Sequence, residues 1–220
     1  MSDNIVLEAK DVELSYGKKK EKKKVLDGFS YAFKEGKMYL LKGKSGAGKT
    51  TLLSVLGLIQ NIDGGQILLN EKRVEDLGNE EKCEIRRKKI GIVFQEPFFI
   101  QGLTIRDNIS LASICEKMGS QKEIYDKCNK ISELLRIRDR IDAFPKELSG
   151  GEKQRANIAR AVIGNPDVLL CDEPVANVDE ENAGIIVDFI KNYSKEKGKL
   201  VVVTCHTSYF DEIADDIVRL

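Results

Sequence analysis

Neither sign of charge predominates in this chain. Lys plus Arg and Asp plus Glu each number 36 in 220 residues, so the formal net charge is zero and a surface-wide attraction to nucleic acid or anionic lipid has no support. No apolar stretch reaches the ~20 residues that a helix needs to cross a bilayer, and the opening MSDNIVLEAK lacks the basic-then-apolar order of a secretion signal. A role at a membrane would require another chain. Paired cysteines are also missing. Cys83, Cys115, Cys128, Cys171 and Cys205 are odd in number and form no CxxC or metal-ligand cluster, which points to reduced thiols in a cytosol. Cys171 and Cys205 sit in apolar runs and are expected in the core. There is no internal repeat, and the single biased segment is KKKEKKK, Lys18 to Lys24, with six lysines around Glu21. It reads as a solvated hairpin loop without an assigned role.

What is present is an alternation of strand and helix signals. A chain of this length suits one core with an inserted subdomain. Strand patterns occupy Ile5 to Leu14, Val25 to Phe33 and MYLLKG, ending at Gly43; from Lys49 the period turns helical, and NIDGGQILLN turns into another strand. IGIVF, Ile90 to Phe94, is a short buried strand. Between Pro97 and Gly150 two helical segments, about Ile105 to Met118 and Gln121 to Leu135, follow with no convincing strand between them, which predicts a helical insertion. A helix from Gly151 to Gly164, the strand in DVLLCDEP, a helix from about Glu180 to Lys197, the strand in KLVVVTCH and a last strand in DDIVRL complete the pattern. Such an order predicts a largely parallel sheet with its ligand beyond the carboxyl ends of the strands.

Four constellations carry chemistry. Gly43, Gly48, Lys49 and Thr50 satisfy G-x-x-x-x-G-K-[ST] after a strand and before a helix, the context that makes the motif specific. Backbone N–H groups from Gly43, Lys44, Ser45, Gly46, Ala47 and Gly48 would curl around phosphate oxygens at a positive helix end. Lys49 would reach the β- and γ-phosphates, with Thr50 on Mg2+ and Thr51 beside it. VLLCDEP delivers Asp172 and Glu173 at the end of a buried strand, a costly pair without a cation. Asp172 is therefore assigned to the Mg2+ shell and Glu173 to polarising an attacking water. Gln95, ending another strand, could touch both water and Mg2+. His206, the single histidine, follows LVVVTC and could hydrogen-bond a γ-phosphate, although a lone histidine is more often structural. Ser149, Gly150 and Gly151 open a helix whose free N–H groups suit an anion, with a capped end and no ligand an equal alternative.

Taken in order, Tyr16, the Gly43 to Thr50 loop, Gln95, LSGGE from Leu148 to Glu152, Asp172 with Glu173, Asp179 and His206 resemble the ABC-type ATPases along nearly the whole chain. The resemblance implies an α/β P-loop NTPase fold: a RecA-like, mostly parallel core (1–95 and 160–220), an N-terminal antiparallel β-subdomain and a helical subdomain at about 96–159. It implies that Tyr16 stacks on adenine and that Asp179 is the D-loop aspartate. It also implies that Ser149, Gly150, Gly151 and Glu152 of one copy close on ATP held by another, in a head-to-tail homodimer. The stretches FQEPFFIQGLTIRDNI and ELSGGEKQRANIARA look most like subunits serving lipoprotein release, macrolide export and antimicrobial-peptide export. For these the expectation is ATP with Mg2+, separate transmembrane permease chains, no nucleic acid, and a cytoplasmic place on the inner face of the cell membrane. The loop Phe98, Phe99, Ile100 would face the permease, unless its phenylalanines fill the insertion's own core. Departures are Val178 where leucine is usual and Thr207 where aspartate is common; neither removes a catalytic group. The sequence stops at DDIVRL, where a last strand should end, without the tail or accessory domain of many importers, which fits a compact subunit or a shortened chain. A soluble ABC ATPase of iron-sulfur assembly, DNA repair or translation is the alternative, since it shares every catalytic residue.

Overall fold

A computed structural model describes residues 4–17, 22–196 and 198–220. The part of the lysine-rich loop from Lys18 to Glu21 lies outside the described residues, as does Lys197.

Two sheets form. The first is antiparallel, in the order β2-β1-β4-β5, from β1 (Ile5–Tyr16), β2 (Lys23–Lys34), β4 (Gly64–Leu69) and β5 (Lys72–Arg73). The second is parallel, in the order β6-β7-β8-β3-β9. It comprises β3 (Lys37–Lys42), β6 (Ile90–Val93), β7 (Val168–Asp172), β8 (Leu200–Thr204) and β9 (Asp216–Arg219). All five residues of β7 and of β8 are buried, which is why these strands read as continuous apolar runs rather than alternating ones.

The period of two then sorts their side chains between two cores. Tyr39, Leu41, Val168, Leu170 and Val202 pack with Leu7, Phe33 and the helix α1 (Lys49–Leu56), between the sheets. Met38, Leu40, Leu169, Cys171 and Val203 face the opposite way, into a cluster with α3 (Ile105–Cys115), α5 (Gly150–Val162) and α6 (Glu180–Ser194). Cys171 and Cys205 are buried free thiols, as expected.

The insertion contains α3 and α4 (Gln121–Leu134), both capped as their sequences prescribe. Thr104 accepts from Asp107 N–H, and Ser120 and Glu123 exchange bonds in a capping box. The expected line between residues 159 and 160 lies within α5, which packs against α3, α4, β6 and α6.

One helix lies outside the expected elements. α2 (Asn79–Lys89) reads NEEKCEIRRKK and offers no apolar stripe; it is held instead by polar anchors. Lys82 is buried and donates to Asn61 Oδ1 (2.8 Å) and Glu75 O (2.7 Å), and Arg86 donates to Leu58 O (2.7 Å). Several expected ends also shift. α3 stops at Cys115 rather than Met118, and α6 at Ser194 rather than Lys197.

Candidate functional site

Parallel register brings four strand ends to one edge. Thr204 of β8 pairs with both Leu41 of β3 and Asp172 of β7, and Cys171 pairs with Val93 of β6. The loop after β3, Gln95, the two acids and His206 therefore leave the sheet together.

The loop after β3 runs straight into α1, whose N-cap is Gly48 at φ +95°. A Cβ there would also stand 2.9 Å from Val25 Cγ1 and 3.0 Å from Val25 O, so both backbone and neighbours demand glycine. Lys49 is buried and folds back over the loop, donating to Gly43 O (2.9 Å) and Lys44 O (3.3 Å). Its ammonium is thus poised over the phosphate cradle, held by neutral carbonyls that an anion would outcompete.

Thr50 Oγ1 donates to Asp172 Oδ1 (3.2 Å), and Thr204 Oγ1 donates to the same oxygen (2.7 Å). Thr204 is a residue that sequence reasoning treated only as strand. Its hydroxyl also accepts from Glu173 N–H (3.0 Å), so one buried side chain positions both acids. The available signal was a polar residue ending an apolar strand in line with Asp172. Glu173 itself adopts φ +48°, a strained conformation for any residue that carries a Cβ. Its Oε2 accepts from His206 N–H (3.1 Å), while Oε1 is buried, without a hydrogen-bond partner, and 3.4 Å from His206 Nε2.

A cleft of about 450 Å3 lies over these groups. Tyr16, Gln95, Glu173 and His206 line it with Ser45, Gly46 and Gly48 to Thr51 of the loop; Lys23 and Val25, which sequence reasoning did not select, line it too. Thr50 Oγ1 and Asp172 Oδ1 are hard oxygen donors within 3.2 Å of each other, beside the unpartnered Glu173 Oε1. This donor set suits Mg2+, which keeps waters and phosphate oxygens in its shell rather than an all-protein cage. Among the described residues no group of three His, Cys, Asp or Glu could hold a metal by itself.

A second group stands apart from the residues that line the cleft. Ser149 caps α5, accepting from Glu152 N–H (3.2 Å), and its own N–H donates to Glu152 Oε2 (2.8 Å). Burial pushes the Glu152 carboxyl up, but the Ser149 donors and Arg140 at 3.0 Å outweigh it and hold the group below its ordinary range. Asp179 caps α6, and the backbone N–H of Asn182, followed by its side-chain amide, holds the Asp179 carboxyl low. The two helix starts touch: a Cβ on Gly151 would stand 2.9 Å from Asn182 Cγ. Ser149 and Gly150 are exposed, and a Cβ on Gly150 would meet nothing within 4 Å. Behind this tip Arg155 is buried, with Nε and Nη1 unpartnered.

The Phe98 loop divides. Phe98 is 78% exposed while Phe99 is 3% exposed and fills the helical core beneath Arg160, whose guanidinium lies 4.9 Å over its ring. Only Phe98 and Ile100 of the three remain available to a partner. No helix of the described residues is long and apolar enough to cross a membrane.

The family profile described as ABC transporter matches residues 26–176. The putative hemin import ATP-binding protein HrtA of Staphylococcus saprophyticus is 33% identical, with 97% of this chain and 96% of that protein covered. The lipoprotein-releasing system ATP-binding protein LolD of Buchnera aphidicola is 31% identical over 100% of this chain and 96% of its own length. Among solved structures, a dimeric post-hydrolysis state of the ATP-binding cassette MJ0796 bound to ADP and Pi superposes with a TM-score of 0.89. It is 32% identical, with 97% of this chain and 94% of that chain covered. With these likenesses spanning both sheets, the helical layer and the cleft, the chain belongs to the ABC transporter family as one of its ATP-binding, ATP-hydrolysing subunits.

Proposed function

We propose that this ATPase works as a head-to-tail homodimer on separate membrane-spanning permease chains, at the cytoplasmic face of the membrane, and powers release or export. The observation that carries the reading is the division of phosphate-binding chemistry on one chain. The cleft holds a lysine-bearing loop, and the exposed helix tip at Ser149 and Gly150 is not among the residues that line it. Each is half of a phosphate sandwich, and a second copy supplies the missing half. The dimeric relative bound to ADP and Pi supports the assembly, and the lipoprotein-releasing relative supports the direction. HrtA, named for import, is the reason direction needs its own transport assay. The exposed Phe98 and Ile100, beside a second cleft of about 410 Å3, are the face offered to the permease.

In this reading Tyr16 stacks on the adenine, and the N–H groups from Gly43 to Gly48 bind the β- and γ-phosphates. Lys49 exchanges two carbonyl partners for phosphate oxygens. Thr50 and Asp172, with Gln95 nearby, would hold Mg2+, which when bound would supply neutralisation of charge on the phosphates. Glu173 Oε1, buried and unpartnered, accepts the proton of the attacking water. As the water oxygen bonds to the γ-phosphorus, the bond from that phosphorus to the β–γ bridging oxygen breaks; ADP departs with the electron pair and the γ-phosphoryl group leaves as inorganic phosphate. His206 Nε2, on a side chain 60% exposed, is within reach of both Glu173 and the γ-phosphate. From the partner, Ser149, Gly150, Gly151 and Glu152 close over that phosphate, with Asp179 at the seam. ATP favours the closed dimer through contacts that ADP lacks, and hydrolysis removes them.

Replacing Glu173 with Gln tests the assignment. The variant is expected to bind ATP, hydrolyse at least ~100-fold more slowly and accumulate as a dimer by light scattering. A variant that hydrolyses at the normal rate and stays monomeric with ATP and Mg2+ would overturn it.

A further inference from the structure

Among the described residues of the lysine-rich segment, which its sequence left without a role, Lys23 lines the nucleotide cleft. β2 begins at Lys23, whose Cα pairs across the sheet with that of Tyr16. Successive side chains of a strand point to opposite faces, and the charges follow that rule. Lys22 approaches Asp63 Oδ2 at 4.0 Å, and Lys24 pairs with Glu13 Oε1 at 3.1 Å and Asp27 Oδ1 at 2.5 Å. Lys23 and Val25, on the opposite face, line the cleft, and among the described residues the Lys23 ammonium has no ion pair or hydrogen bond. Lys23 is thus an unpaired cation lining the same cleft as the phosphate loop, cross-strand from Tyr16, which lines it too.

We propose that Lys23 is a nucleotide-binding residue, its ammonium meeting the ribose-proximal phosphate of an adenine nucleotide. The assignment rests on the reading of this cleft as the ATP site and adds to it a contact that the phosphate loop does not make. The chemistry sets a signature. The ribose-proximal phosphate is common to ADP and ATP, so Lys23 strengthens both alike, unlike a group directed at the γ-phosphate. The flexible stem and the open cleft keep the gain modest, since exposed ion pairs are worth far less than buried ones.

Isothermal titration of the full chain with ADP and with a non-hydrolysable ATP analogue tests this, using wild type, Lys23→Gln and Lys23→Arg. Lys23→Gln should raise both Kd values about two- to fivefold, an ion-pair gain of this class. That loss should shrink as salt is raised, while the melting temperature without nucleotide stays at the wild-type level. Lys23→Arg should bind within about twofold of wild type, as the charge is kept. Unchanged Kd values for Lys23→Gln, or a loss confined to the ATP analogue, would overturn the Lys23 assignment and leave the cleft reading standing. Failure of wild type to bind either nucleotide would instead overturn the cleft reading.

Discussion

Gly150 and Gly151 are neighbours on the tip of α5, and alanine at each should fail in a different way. At Gly151 the new Cβ would stand 2.9 Å from Asn182 Cγ and 3.0 Å from its Nδ2. Asn182 must swing aside, although its backbone and side-chain N–H groups are both held by Asp179. Losing one such bond to a charged acceptor costs about 1.5–3 kcal/mol, of which alanine's better helix propensity returns up to ~1 kcal/mol. The net loss of about 0.5–2 kcal/mol corresponds to a fall of about 1–8 °C in Tm for a chain of this size. At Gly150 the Cβ enters open space, and a compatible Gly→Ala change stabilises by about 0.4–1 kcal/mol through the unfolded chain. Its Tm should hold or rise by about 1–4 °C. Under the proposed assembly the same methyl obstructs the partner's triphosphate. Gly150→Ala should therefore lose at least about tenfold of the ATPase rate, equivalent to ~1.4 kcal/mol, while the isolated chain keeps its nucleotide affinity within about twofold. Scanning fluorimetry, ATPase turnover and nucleotide titration measure the three quantities. A fully active Gly150→Ala protein would refute the role of the tip, and a Gly150→Ala protein that melts lower than Gly151→Ala would refute the geometry.

Thr204→Val keeps shape but removes the hydroxyl that joins Asp172 to the Glu173 N–H; kcat should fall about tenfold or more with a smaller change in KM, and steady-state kinetics check it. The Thr104 hydroxyl, more than the opposing burial, holds the Asp107 carboxyl below its ordinary range, with Tyr125 adding to it. A lowered folded-state value stabilises above the unfolded value of ~3.9 and is lost as pH falls through the folded one. Asp107→Asn should thus cost stability at pH 7 and lose less than wild type between pH 5 and pH 2, read from urea midpoints. Thiol labelling of the native protein should modify the exposed Cys115 first and Cys83 more slowly. Cys128, Cys171 and Cys205, whose thiols burial pushes up, should react only on unfolding.

Much of this was legible in the sequence where the physics is local. The GKSGAGKT turn, the Ser149 helix cap and the buried strand ending in Asp172 are short-range patterns, and each lies where its pattern placed it. α2 was not legible, because polar anchors such as Lys82 to Asn61 span 21 residues and leave no period in the sequence. Thr204 and Lys23 were missed for a related reason. Their meaning depends on which residue lies across the sheet, Asp172 for one and Tyr16 for the other, and register is a property of the folded pair. Phe98 and Phe99 show the limit of composition, since adjacent identical residues end one in solvent and one in the core.

Cross-chain disulfide trapping tests the central claim most directly. Ser45→Cys in one tagged copy and Ser149→Cys in a second, both carrying Glu173→Gln with Cys83 and Cys115 replaced by Ala, are mixed with Mg2+ and either ATP or ADP. A sandwich shared between two chains requires a mixed-tag dimer with ATP and little with ADP. Equal trapping with both nucleotides, or none with ATP while each protein still binds it, would contradict the account.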